Sequence, residues 1–288
     1  MSAPACQPDG ACAGAGHGVL DPAGMVAAIQ HDHLVQITLI VLIVILPVFV
    51  GLPFVLWRYR LSRRDSRYAP EWRFAWLPEF VIWGVPVIIV GVLGVSLWTT
   101  LHRIDPYRPL STGKEPPLRV QVIGLDWKFL FIYPDQGIAS VNRLVVPAGR
   151  QIAFDITADG PMMSFMVPRL GGQIYAMAGM RTRLHLIADA PGSYRGLNTQ
   201  YNGRNFAYQR FDLQAVGKDE YRQWVRQAKA LPALDRQRYD VLARPSVVEQ
   251  PLRFGSVEDD LFGAVIESYR GGRPSPGETL ASAGHAHR

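Results

Sequence analysis

Cysteine is scarce in this 288-residue sequence: Cys6 and Cys12 are the only two, which excludes a disulfide-dense scaffold. Basic residues are missing from the first 57 positions, although the chain holds 30 Lys and Arg in all. Charged residues are few, 19% against 48% apolar, a balance too apolar for a disordered chain. There is no Ser/His/Asp signature, zinc spacing or phosphate loop that would mark a self-contained enzyme. Gly14, Gly16 and Gly18 alternate but neither follow a strand nor open a helix, so they form no dinucleotide motif. The net charge of +6 by itself suggests a nucleic acid or a membrane surface as partner. Where the charge and the apolar residues lie decides between them.

The apolar residues gather in two runs. Leu34 to Trp57 carries no charge, and Leu77 to Trp98 carries one, Glu79. Each is longer than the ~18 residues that mark a membrane span, and soluble helices rarely run so far without a polar face. Pro47, Pro53 and Pro86 lie inside the runs, where membrane helices tolerate proline. Trp57, Trp76 and Trp98 sit near the ends, where an indole can be half in lipid. The connecting stretch 58–76 holds six arginines against Asp65 and Glu71. The positive-inside rule makes it a cytoplasmic loop and puts both termini outside, in a periplasm or its equivalent. The basic balance therefore records a topology, not a nucleic-acid partner.

The first residues have neither the basic segment nor the apolar stretch of a secretory signal. Cys6 and Cys12 admit three readings: a disulfide with each other, a lipid anchor on one of them, or two free thiols. His285 and His287 fall in a Gly/Ser/Pro-rich tail, 272–288, too sparse in ligands for a metal site. The expected organisation is an outer N-terminal segment over 1–33 and a transmembrane hairpin over 34–101. A Pro-rich linker follows over 102–117, then a β-domain over 118–216, a helical arm over 217–271, and the tail. In the β-domain short alternating runs are broken by turns such as Pro134-Asp135-Gln136-Gly137, which predicts an antiparallel β-sandwich or Greek-key barrel. Asp126 to Tyr133 reads as one strand. Beyond Gly217 the period changes, with helices expected at Asp219–Ala230, Leu234–Ala243 and Val257–Tyr269, the last begun by Glu258, Asp259 and Asp260.

Several stretches go further than layout: LDPAGMV at Leu20–Val26, WRYR at Trp57–Arg60, EFVIWGVP at Glu79–Pro86 and LDWKFLFIYPDQGIASVN at Leu125–Asn142. To these add SFMVPRLGGQIYAMAGMRTRLHLIADAPGSY at Ser164–Tyr194 and PSVVEQ…DDLF between Pro245 and Phe262. Together they closely resemble subunit II of cytochrome bo-type ubiquinol oxidases, in the haem-copper oxidase superfamily. The resemblance covers Leu20 to about Tyr269. It implies a membrane hairpin followed by a cupredoxin-like sandwich and C-terminal helices, in a bacterial inner membrane.

The superfamily has a second branch, the cytochrome c oxidases, whose subunit II holds a binuclear copper centre on two cysteines, two histidines, a methionine and a backbone carbonyl. Soft thiolate and imidazole ligands suit copper. At the matching places this sequence has Met163 and Phe206 for the histidines and Asn198 and Asn202 for the cysteines. Gln209 stands for the methionine and Gln200 for the carbonyl-bearing glutamate, while the loop's Gly203 and Asn205 are retained. The expectation is therefore a copper domain without copper, and no metal or cofactor held by this chain. Trp127 matches the tryptophan through which electrons enter the copper centre in the other branch, and is expected here to be core packing.

By the same resemblance, two haems, one copper ion and the quinol site belong to a large subunit I. Subunits III and IV and the lipid bilayer complete the expected partners. Residues 102–288 carry net charge +6, which would repel a basic cytochrome c. Glu79 is an ionisable group inside a span. It matches a glutamate at the mouth of a proton-uptake channel of the large subunit, and is the candidate proton-entry residue, the alternative being an interface anchor. The rival functions are a cytochrome c oxidase subunit with a lost copper site and a membrane-anchored binding protein.

Overall fold

The computed structural model describes residues 18–60, 75–110 and 115–270. Cys6, Cys12, His285 and His287, and most of the arginine-rich loop, lie outside the described residues. The chain divides into two compact units, Ile29–Asp105 on one side, and Met1–Ala28 with Pro106–Arg288 on the other.

The first unit is a helix pair. α1 covers Met25–Arg58 and α2 covers Trp76–Arg103. At 1.5 Å per residue both exceed the ~30 Å of a bilayer's hydrocarbon core. Their most apolar 18-residue windows are entirely unburied within the chain. Side chains such as Phe49, Phe80 and Ile88 are about two-thirds exposed, which is stable only where lipid or another apolar chain covers them. Pro47, Pro53 and Pro86 are accommodated without ending either helix. Helix α1 begins nine residues before the expected span, so the 1–33 segment is not wholly irregular. Near that end the helices share a polar cluster. The Ser96 hydroxyl donates to Gln36 Oε1 at 3.4 Å and lies 3.4 Å from His33 Nδ1. Such contacts hold helices together where apolar surfaces alone have no drive to associate.

The second unit is built on a β-sandwich. One sheet contains β1 (Leu118–Leu125), β2 (Lys128–Tyr133), β3 (Ile138–Val141), β5 (Gln151–Ala158) and β8 (Thr182–Ile187). The other contains β4 (Arg143–Pro147), β6 (Met163–Met166), β7 (Gln173–Ala176), β9 (Gly192–Leu197) and β10 (Arg210–Val216), in the order β4-β10-β9-β6-β7. Alternating side chains from both fill the space between them. Four phenylalanines, Phe129, Phe131, Phe165 and Phe211, meet at its centre with ring centroids 5.0–6.4 Å apart. The sandwich is mostly antiparallel as expected, but two of its pairings are parallel, β1 with β5 and β4 with β10. Each joins strands that are not adjacent in sequence, so no hairpin constrains their direction.

The arm after Gly217 is more than helices. α3 (Lys218–Lys229), α4 (Arg236–Ala243) and α5 (Leu261–Arg270) alternate with β11 (Ala233–Leu234), β12 (Leu252–Phe254) and β13 (Ser256–Val257). β12 extends the first sheet, whose order becomes β12-β3-β2-β1-β5-β8, and β11 pairs with β13. Two helices are therefore shorter than the sequence suggested. Leu234 and Val257 belong to strands, and Glu258 to Asp260 precede α5 rather than open it. The Asp260 carboxylate still accepts from Gly263 N at 3.2 Å. Leu242, Leu261, Phe262 and Val265 pack with Ile123, Leu125, Leu130 and Ile132 on the outer face of the first sheet. That second core explains why all six residues of β2 are buried.

The degenerate metal loop and its surroundings

The β1–β2 turn is two residues long, because Leu125 pairs with Lys128. Asp126 and Trp127, expected inside a strand, form it, and Trp127 adopts a left-handed φ of 63°. Trp127 is half-buried rather than core. Its indole N–H donates to the Asn202 carbonyl at 3.3 Å, so the ring braces the loop between β9 and β10. That loop, 198–209, is closed at its base by Asn198 N donating to the Gln209 carbonyl at 3.1 Å. Gly203 turns it with φ of 106°, a region that other residues enter only under strain.

Four of the six residues at metal-ligand places meet beneath this loop. Gln209 is fully buried at their centre. Its Oε1 accepts from Asn198 Nδ2 at 2.9 Å and from Asn202 Nδ2 at 2.6 Å. Its Nε2 donates to the Leu125 carbonyl and to Met163 Sδ, each at 3.1 Å. Asn198 Oδ1 accepts from Ser164 N at 2.8 Å and Gln200 N at 2.9 Å. Met163 lies over Gly124, where any Cβ would strike the sulfur. The other two residues stand apart: Phe206 is half-buried and packs on Tyr201 with centroids 5.8 Å apart, and Gln200 enters only through its backbone N–H.

This donor set does not suit copper. Carboxamides and a thioether replace thiolate and imidazole. The amide oxygens of Gln209 and Asn198 and the Met163 sulfur already accept hydrogen bonds from neighbours. Asn202 Oδ1 is the one buried amide oxygen of this group without a partner. No cluster of three or more His, Cys, Asp or Glu in metal-binding reach occurs among the described residues.

Two further groups were not read from the sequence. Lys128 has no exposed surface, and its Nζ donates to the carbonyls of Arg244 at 2.9 Å and Ser246 at 3.0 Å and to Ser246 Oγ at 2.8 Å. Burial pushes this ammonium down to about 8, with Asp126 opposing the shift. Burial also pushes the Asp126 carboxyl up, against the pull of Lys128. The second group is Asp159, whose two oxygens accept from Tyr239 OH at 2.6 Å and Tyr269 OH at 2.8 Å. Burial first, and then Asp159, push the Tyr239 phenol up. A lysine opening an apolar strand, and tyrosines spaced along the arm, were the available signals.

Glu79 lies in the first turn of α2, where the helix dipole favours a carboxylate. Its Oε1 accepts from the Trp83 indole N–H at 3.2 Å.

Similar proteins place the chain. It is 39% identical over 261 residues to the cytochrome bo(3) ubiquinol oxidase subunit 2 of Pseudomonas putida, covering 89% of this chain and 83% of the relative. It is 43% identical over 257 residues to the ubiquinol oxidase subunit 2 of Acetobacter aceti, covering 88% and 83%.

The chain belongs to the ubiquinol oxidase subunit 2 family.

Within this family membership, residues 133–216 match the model of the cytochrome c oxidase subunit II periplasmic domain, and residues 229–272 match that of the COX aromatic-rich motif. The second match spans α4 and α5, and so contains Tyr239 and Tyr269. Among solved structures, the periplasmic domain of subunit II of cytochrome oxidase from Bradyrhizobium japonicum aligns with 40% of this chain and 96% of its own, at 24% identity and a TM-score of 0.39. As a subunit 2 chain with two candidate transmembrane helices, this is a membrane protein of an oxidoreductase complex that contains other oxidase subunits.

Proposed function

We propose that the chain is the non-catalytic subunit II of a proton-pumping complex that oxidises ubiquinol and reduces O₂ to water. The observation that carries this reading is Gln209. Its carboxamide fills the space where a copper ligand would sit and joins Met163, Asn198 and Asn202 into one hydrogen-bonded unit. The loop thereby keeps a fixed shape without a metal, and electrons pass from quinol to haem without crossing this domain. The haems, the copper ion and the quinol site belong to subunit I, and subunits III and IV complete the assembly.

The six arginines of the connecting stretch support a hairpin with both termini on the periplasmic side of the bacterial inner membrane. Glu79 then lies at the cytoplasmic end of α2, where it collects protons for the large subunit. The sandwich and arm cap the outer face of that subunit and stabilise the complex. Cys6 or Cys12 is a candidate lipid anchor at the outer surface. The metal content of the purified complex tests the reading. One copper per two haems is expected, and three would reinstate a binuclear centre in this chain.

A further inference from the structure

Glu79 is hydrogen-bonded to a side chain of its own helix. Trp83 lies one turn further along α2, and its indole Nε1 points back to Glu79 Oε1 at 3.2 Å. Both side chains are on the outside of the chain, Trp83 with 68% of its surface exposed. An unrestrained carboxylate there would sample several rotamers and turn toward water at the helix end. One N–H from the same helix removes that freedom. The indole also opens an apolar hollow of about 380 Å³, lined with Ile82, Pro86, Val87 and Val90. Pro86 has no N–H, so the carbonyl of Ile82 lacks its usual helical donor four residues on. The carboxylate is thus tethered at the lower edge of an apolar surface by the only polar atom of the ring that can reach it.

We propose that Trp83 is a positioning residue that holds the Glu79 carboxylate in one orientation for proton delivery to the neighbouring subunit. This rests on the proton-entry reading of Glu79. The contact is a single donation from the indole N–H to Glu79 Oε1. The requirement is therefore for the donor and not for aromatic bulk.

The test uses the whole oxidase complex, with variants compared at equal haem content. Trp83→Phe keeps the ring's apolar body and deletes the donor. Trp83→Gln supplies an amide donor at the same four-residue spacing. Trp83→Phe is expected to lower kcat for quinol oxidation about fivefold, the effect of about 1 kcal/mol from one lost hydrogen bond. KM for quinol should stay unchanged, because no quinol contact is lost. Trp83→Gln should recover most of the rate. In a Glu79→Ala background, already slow, adding Trp83→Phe should cost nothing more. Wild-type kcat in Trp83→Phe beside a slow Glu79→Ala would overturn this inference and leave the proton-entry reading standing. Equal slowing by Trp83→Phe with and without Glu79 would also overturn it, since the ring would then act elsewhere. Wild-type kcat in Glu79→Ala would remove the proton-entry reading itself, and this inference with it.

Discussion

The Nζ of Lys128 donates to the carbonyl of Arg244 at 2.9 Å, joining residues 116 apart in sequence. Arg244 caps α4 just beyond its last residue, Ala243, so a buried cation meets the negative end of that helix. The backbone carbonyl of the same lysine lies 3.4 Å from Gln209 Nε2. The first residue of β2 thus meets the arm through its side chain and the degenerate metal loop through its main chain.

Replacing Lys128 with Met deletes the donors to Arg244 and Ser246 while keeping much of the volume. Thermal unfolding of the sandwich with its arm should show a loss of about 1.5–3 kcal/mol, from the lost hydrogen bonds between a charged donor and the carbonyls of Arg244 and Ser246. A variant as stable as the wild type would mean that water replaces the ammonium there.

The same lysine sets a pH dependence. Its ammonium is lowered from 10.5 to about 8 in the folded state, so the unfolded chain binds more protons between those values. The stability contributed by Lys128 is therefore full above 10.5 and is lost as pH falls through 8. The melting-temperature difference between wild type and Lys128→Met should shift in favour of the wild type as pH rises across that window. A constant difference would contradict the burial argument.

Gln209→Ala leaves Asn198 Nδ2, Asn202 Nδ2 and the Leu125 carbonyl without their buried partner. Stability should fall by about 2–4 kcal/mol. Hydrogen exchange should rise first in the loop 198–209, since its base is held there. Exchange that rises evenly over the sandwich would argue that the network is not what fixes the loop.

Tyr239→Phe and Tyr269→Phe each remove one phenol from the Asp159 carboxylate. Each should cost about 1–3 kcal/mol, as for hydrogen bonds to a charged group. The double variant should depart from additivity, because both phenols share one carboxylate. Denaturant midpoints of the four proteins measure this directly.

The two spans were legible because composition alone defines them, 24 uncharged residues and 22 with one charge. The resemblance alone assigned Met163, Asn198, Asn202 and Gln209 to the ligand places of the degenerate loop. That Gln209 bonds to the other three was not legible, because β1, β6 and the loop 198–209 meet only in three dimensions. Strand direction failed for a similar reason. Leu118 pairs with Ile152 in parallel, and nothing local to either records it. Asp126 and Trp127 looked like strand because an apolar run follows them, yet the two-residue turn falls there. The arm's strand Leu252–Phe254 is three residues long and exists only because the edge of β3 receives it.

Glu79→Gln should slow the proton uptake that accompanies haem reduction in the whole complex, since an amide cannot carry the proton. Stopped-flow reduction kinetics check it, and unchanged kinetics would return Glu79 to an interface anchor.

The electron donor accepted by the purified complex tests the account most directly. Oxygen consumption should be sustained by ubiquinol and absent with reduced cytochrome c. Sustained turnover on cytochrome c would contradict it, because that route needs a redox centre in the place that Gln209 fills.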